Sequence, residues 1–245
     1  MMAVLLAGGL GLRLRPYTMN IPKPLLPLGD VATIEVVVRQ LADQGFDRVV
    51  VTLGHLPQLI MSFLGDGERF GLSIEYEVES SPLGTAGSLR LVKDPDESFV
   101  VMNGDLLTTV NFGELLSDHS HAARAATIML TPRQVHVDYG VVHVTDDNRL
   151  ERYEEKPTLR YLVSTGIYAL HRAAITHVPT GRFDMPDLMT SLNTAGEHVG
   201  CQVTDQYWQD IGRFDDYQQA SADFVANPDH FLSHRSIAAL KTDGS

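Results

Sequence analysis

The sequence predicts an α/β protein three layers deep, with helices on both faces of a mixed, mostly parallel central sheet. Three observations carry this expectation. Apolar runs of strand length alternate with segments of helical spacing over the first 105 residues. The first of those runs leads directly into a glycine cluster. After Asp105 the pattern changes to strands joined by loops. Strands separated by helices need right-handed crossovers, and these lay successive strands parallel.

Residues 3–7 are an apolar run ending at Gly8 and Gly9, and they predict a buried first strand. Ile34, Val37, Val38, Leu41 and Ala42 keep helical spacing, with Gly45 as the stop. Residues 48–53 read as a β-branched strand, 56–64 as a helix and 72–78 as an alternating strand. A helix is expected over 86–92, then a buried strand over 98–102 closed by Asn103-Gly104-Asp105. Beyond it, residues 125–131, 140–145, 149–154 and 163–170 read as strands, with one short helix near 111–119. Asp146-Asp147-Asn148 is a hairpin turn by composition. A last amphipathic helix carries Phe214, Tyr217, Ser221, Phe224 and Val225 and ends before Asn227-Pro228. No internal repeat is visible.

Composition narrows the functional classes. A chain of 245 residues with 44% hydrophobic and 20% charged residues suits one globular α/β domain. No apolar run approaches the about 18 residues that a membrane span needs, and the apolar start is too short for a secretory core. A single cysteine, Cys201, fits a reducing compartment, so a cytoplasmic location without membrane partners is expected. A formal net charge of −12 argues against general nucleic-acid binding, which needs an excess of Lys and Arg. A small phosphorylated ligand needs only a local cationic patch, and Arg13, Arg15 and Lys23 cluster near the start.

The segment from Leu6 and Ala7 through Gly8-Gly9-Leu10-Gly11 to Arg13 presents bare backbone N–H groups that can wrap phosphate oxygens. No Gly-Lys-Ser/Thr follows, so it is not a Walker A loop. The third glycine of the dinucleotide fingerprint is also absent. Together with Arg13, Pro16, Thr18 and Pro22-Lys23-Pro24, the segment closely resembles the signature of the sugar-1-phosphate nucleotidylyltransferases, among them the mannose- and heptose-phosphate guanylyltransferases. Pro82-Leu83-Gly84-Thr85-Ala86-Gly87 resembles that family's second nucleotide loop in its guanylyltransferase form. Asn103-Gly104-Asp105 and Trp208-Gln209-Asp210 resemble its metal motifs. Tyr139-Gly140, Glu155-Lys156-Pro157 and Ser164-Thr165-Gly166 resemble its sugar-phosphate segments. The likeness runs over about residues 3–226.

The resemblance implies a single Rossmann-like nucleotidyltransferase domain over 1–245. About 1–110 would form a nucleotide half, about 111–226 a sugar-phosphate half, and 227–245 a terminal tail or helix. It implies transfer of a nucleoside monophosphate from a nucleoside triphosphate to a sugar 1-phosphate, with release of pyrophosphate. Asp105 and Asp210 would hold Mg²⁺, which prefers hard oxygen ligands. Arg13 would stabilise the departing pyrophosphate and Lys23 would contact phosphate. Leu6, Ala7, Gly8, Gly9, Gly11, Glu79, Pro82, Gly84, Thr85 and Ala86 would meet the nucleotide. Asn103, Gly104, Tyr139, Gly140, Thr165 and Gly166 would meet the sugar phosphate, whose phosphate Lys156 would hold while Glu155 took its hydroxyls.

GTP is the favoured nucleotide on this reading. Relatives using UTP or dTTP carry a glutamine where Glu79 aligns, and a carboxylate matches the two adjacent donors of guanine. Against this, Glu75, Glu77 and Glu79 share one strand face, and any of them can point to solvent. Transfer from UTP or dTTP to glucose 1-phosphate stays open. So do a silent sugar-nucleotide-binding regulator and a transferase acting on a non-sugar phosphate such as phosphocholine. Retained Arg13, Lys23, Asp105 and Asp210 speak against the regulator, and the Glu155-Lys156-Pro157 segment favours a sugar. With no β-helix repeat after the last helix, one activity is expected, and a homodimer is possible. His119 and His121 read as solvated loop residues, and Asp184, Asp187 and Asp205 read as caps or surface carboxylates in preference to a place in the sugar pocket. Cys201 reads as strand packing, and Trp208 carries no assigned chemistry.

Overall fold

A computed structural model describes residues 1–243. Its first half runs β1 (Met2–Ala7), β2 (Pro27–Leu28), β3 (Val31–Ala32), α1 (Thr33–Asp43), β4 (Arg48–Leu53), α2 (Pro57–Leu64) and β5 (Ser73–Val78). Then come α3 (Gly84–Gly87), β6 (Ser98–Asn103), β7 (Leu106–Thr108) and α4 (Phe112–His121). The second half adds β8 (Ala126–His136), β9 (Val141–Val144), β10 (Leu150–Glu154), β11 (Thr158–His171), α5 (Met185–Thr194), β12 (Val199–Val203) and β13 (Trp208–Asp210). The chain closes with α6 (Phe214–Ala226), α7 (Pro228–Phe231) and α8 (His234–Asp243). Gly244 and Ser245, the end of the expected tail, lie outside the described residues.

Seven strands form the central sheet in the order β12-β8-β11-β6-β1-β4-β5. Neighbours pair parallel except at β11, which runs antiparallel to both β6 and β8. The sheet is therefore mixed and mostly parallel, as predicted. Its apolar strands are continuous because both faces are covered. Along β1, Ala3, Leu5 and Ala7 pack with α1, α2 and α4. Met2 and Val4 face the opposite side, where Leu89 and the α5 residues Met185, Leu188 and Leu192 cover them. A third cluster joins Leu14, Leu26 and Leu28 to Val36, Ile211, Ala220 and Phe224, so α6 clasps the segment that follows the glycine loop.

This topology positions the site. Chain order reverses at β1, which has β4 on one side and β6 on the other. Ligand crevices open at such switch points, outside the carboxyl ends of the strands. Gly8, Gly54, Glu79 and Asn103 all lie at those ends.

Several local expectations are corrected. The helix expected over 86–92 is one α-turn, Gly84–Gly87, followed by a 3-10 turn, Ser88–Leu91, because Ala86 and Gly87 donate their N–H groups to Phe183 O instead of only along a helix. The α5 helix was not foreseen. The β8 and β11 strands extend past the expected 131 and 163 as a two-stranded ribbon. His119 is not a solvated loop residue. It lies on α4, fully buried, with Nδ1 2.9 Å from Thr127 Oγ1. Cys201 lies on edge strand β12 and is exposed, so it does not pack into the core.

Candidate active site

The glycine loop owes its path to close backbone approach. A Cβ on Gly54 would stand 2.6 Å from Gly8 O, and one on Gly8 would stand 2.9 Å from Glu79 Oε1. The loop therefore lies flat across the ends of β4 and β5. Gly11 turns with φ +59, and Thr18 Oγ1 donates to its carbonyl at 2.7 Å. The cleft so formed has a volume of about 780 Å³. Of the expected nucleotide residues, Leu6, Gly8, Gly9, Gly11, Glu79, Pro82, Gly84 and Thr85 line it, and so do Asn103 and Asp105. Ala7 and Ala86 are buried behind its wall.

Glu79 sits one residue past β5. Its Oε2 accepts from the Leu83 N–H at 3.0 Å, so the side chain turns into the cleft, unlike Glu75, which pairs with Arg48 outside it. Burial pushes the Glu79 carboxyl above its ordinary value, opposed by the Leu83 hydrogen bond.

Beside Asp105 stands a compact group of charges. Lys23 Nζ forms an ion pair with Asp105 Oδ2 and lies 3.8 Å from Asp210 Oδ1. Antiparallel pairing of β7 with β13 sets Asp210 opposite Leu106, and Ile211 N–H donates to Asp105 O at 3.2 Å. Arg13 completes the group, since a Cβ on Gly212 would lie 2.5 Å from Asp210 Oδ2 and 3.3 Å from Arg13 Nη2. Burial raises the Asp210 carboxyl above the usual range. Lys23 opposes this, Asp105 adds to it, Arg13 opposes it and Asp216 adds to it. Two hard carboxylates converging on one cation suit Mg²⁺, which completes its shell with water and phosphate oxygens. Among the described residues no group of three His, Cys, Asp or Glu is arranged for a metal. Arg15 is exposed.

The sugar-phosphate candidates separate into two groups. Gly166 turns with φ +74 against Asn103, whose Nδ2 would be 2.6 Å from a Cβ there. Thr165 is buried, donating its hydroxyl to Met129 O at 2.9 Å and accepting from Trp208 Nε1 at 2.8 Å through its carbonyl. Its side chain is thus committed to the core, and Trp208 pins this turn beside Asn103. Tyr139, Gly140, Glu155 and Lys156 lie instead between β8 and β9 and between β10 and β11, and none lines the cleft. Tyr139 is 79% exposed, and Glu155 Oε2 accepts from Tyr153 Oη at 3.3 Å.

Sequence reasoning missed Thr52, Gly54, His55 and Arg182 on the cleft wall, where Asp184, weighed for the sugar pocket but read as a cap or surface carboxylate, also lies. Gly54 alone carried a signal, as a glycine directly after a β-branched strand.

An open α/β sheet with a glycine loop and a cation–carboxylate cluster at its switch point belongs to the class that binds ligands there. This chain is a member of the nucleotidyl transferase family, whose model matches residues 2–227. It is 35% identical over 242 residues to a UTP–glucose-1-phosphate uridylyltransferase of Synechocystis sp., covering 90% of this chain and 62% of that one. It is 32% identical over 232 residues to the mannose-1-phosphate guanylyltransferase of Mycobacterium tuberculosis, covering 91% and 64%. The chain therefore spans a little under two thirds of the length of these curated relatives. A Bacillus anthracis crystal structure in complex with sucrose superimposes with TM-score 0.73 at 26% identity, covering 91% of this chain and 94% of that one. The fold is also that of HddC from Yersinia pseudotuberculosis, with TM-score 0.69, 24% identity and coverage of 91% and 99%.

Proposed function

We propose that this chain transfers a nucleoside monophosphate from a nucleoside triphosphate to a sugar 1-phosphate and releases pyrophosphate. One observation carries the reading: Arg13, Lys23, Asp105 and Asp210, distant in sequence, converge beside a glycine-walled cleft in a member of this family.

A phosphate oxygen of the sugar 1-phosphate attacks the α-phosphorus in line, and the bond to the bridging oxygen of pyrophosphate breaks. The nucleophile is already anionic, so the site needs no general base. Rate comes from positioning and from charge neutralisation. The backbone of Gly8–Gly11 cradles the phosphates. Arg13 and Lys23 face the charge that develops on the pyrophosphate side. Asp105 and Asp210 would hold Mg²⁺, which when bound neutralises phosphate oxygens and orients them. Asn103 and Gly166 would line the sugar side, while Glu155 and Lys156 stand outside the cleft between β10 and β11. Only the likeness of Glu155-Lys156-Pro157 to the family's segment supports a part for them in holding the sugar phosphate.

GTP is the favoured donor. The Glu79 carboxylate is turned into the cleft and oriented by Leu83 N–H. Each of its oxygens accepts more than one hydrogen bond, so that contact leaves acceptors for the ring N–H and amine of guanine. UTP with glucose 1-phosphate is the second reading, favoured by the 35% identity to the Synechocystis uridylyltransferase.

A pyrophosphate-release screen with Mg²⁺ tests both, crossing GTP, UTP, dTTP, ATP and CTP with glucose, mannose and heptose 1-phosphates. Turnover highest with GTP is expected. A folded protein that binds nucleotide but turns over no pair would sink the transferase reading.

A further inference from the structure

Asp184 occupies the N-cap position of α5, yet its carboxylate makes no hydrogen bond to that helix. Its Oδ1 accepts instead from Thr85 N–H at 3.0 Å and from the Thr85 hydroxyl at 3.4 Å, across to the other half of the chain. Thr85 Oγ1 in turn accepts the Met185 N–H at 2.8 Å. The cap of α5 is thus supplied by the loop that α5 holds.

The neighbouring backbone makes the junction continuous. Phe183 O accepts from both Ala86 and Gly87 N–H at 2.9 Å, and Phe183 N–H donates to Leu83 O at 2.8 Å. Gly84 permits the approach. Its φ is +76, and a Cβ there would stand 2.6 Å from Phe183 O and 2.7 Å from Asp184 Oδ1. Leu83 is also the residue whose N–H orients the Glu79 carboxylate. A line of contacts therefore runs from Asp184 through residues 83–85 to Glu79 and the glycine loop. A loop with bare glycines pays a large ordering cost on binding unless something fixes it beforehand.

We propose that Asp184 is a positioning residue for the nucleotide: it clamps the loop 82–87 to the segment before α5 and so sets nucleoside triphosphate affinity. The inference rests on the nucleotide reading given above. Because Asp184 acts through the loop, its loss should weaken triphosphate binding while leaving the sugar-phosphate side alone.

The test compares wild type with Asp184→Ala and Asp184→Asn in three measurements: amide hydrogen exchange over 83–87, calorimetric binding of GTP and of UTP with Mg²⁺, and KM against kcat. For Asp184→Ala, faster exchange confined to 83–87 is expected, with nucleotide Kd and KM raised about 10-fold. KM for the sugar phosphate and saturating kcat should stay within about 2-fold. Asp184→Asn keeps an acceptor oxygen for Thr85 and should stay close to wild type. If Asp184→Ala does not fold, Asp184→Ser, whose hydroxyl stops one bond short of the carboxylate oxygen that holds Thr85, carries the same expectation. Unchanged exchange and nucleotide affinity in these variants would overturn the clamp and leave the transferase reading standing. An Asp184→Asn variant as weak as the alanine variant would overturn it too, since charge rather than geometry would then be at work. A wild type that binds nucleotide without turnover would refute the transferase reading alone. One that binds neither nucleotide would overturn both.

Discussion

The Lys23 ammonium is ion-paired to the Asp105 carboxylate where the segment after the glycine loop meets the turn between β6 and β7. Asp210 stands beside the pair, so three charges from three parts of the chain share one small volume. Asp105→Asn keeps the shape and removes the anion. Its kcat/KM should fall by about 1000-fold, roughly 4 kcal/mol of transition-state stabilisation. A Mg²⁺ titration of the residual activity should shift to higher concentration. An Asp105→Asn variant with full activity would remove Asp105 from the metal site.

Glu79 sets a second expectation. Replacing it with Gln exchanges a pure acceptor for a donor and acceptor of nearly the same shape. The ratio of kcat/KM for GTP to that for UTP should fall by about 10-fold or more. A ratio that does not move, measured with one sugar phosphate held saturating, would deny Glu79 a part in reading the base.

Gly54 matters for steric reasons alone. A methyl group there would meet Gly8 O at 2.6 Å, a contact between backbones that one of the two segments must shift to relieve. Gly54→Ala should cost about 1–3 kcal/mol of stability, by the usual price of overpacking. It should also raise KM for the triphosphate more than KM for the sugar phosphate. Thermal melting and paired saturation curves check the two halves of this expectation.

His119 makes stability depend on pH. Burial holds its pKa at about 4, helped by the positive charges of Arg124 and His171. The folded value lies below the unfolded one of about 6.5, so the unfolded chain binds the proton more readily. The contribution of this residue is therefore fully present above pH of about 6.5 and is lost as pH falls towards about 4. His119→Asn keeps a polar atom for Thr127 but does not titrate. Denaturant unfolding from pH 7 to pH 4.5 should show a shallower loss of stability in the variant than in wild type. Equal slopes would show that His119 is not the group responsible.

The parts of the site written as contiguous signals were legible early. The glycine loop, Pro82–Gly87 and Asn103-Gly104-Asp105 each lie where a strand ends, and a strand end is visible in hydropathy. Asp184 stands at the cap position of α5, a helix absent from the sequence reading, and its side chain caps nothing there. Its actual partner, Thr85, is reached only through the fold. His119 was misread because a helix reads as amphipathic without revealing that one of its polar residues meets Thr127 on β8. Tyr139 and Lys156 carry motif residues, but their segments rise on a ribbon whose direction no spacing rule predicts.

Determined by the sequence alone were the layered α/β class, the order of the strands along the chain, the glycine loop and the residues that carry charge. Hydrophobic period and turn chemistry are local, acting over a few neighbouring residues. Which charges meet was decided by tertiary structure. Pairing of β7 with β13 brought Asp210 to Asp105, and the packing of α6 against residues 14–28 held the segment bearing Lys23 in place. Electrostatic contacts of this kind depend on distance in space, and that distance is set only when the sheet order and the burial of both its faces are complete.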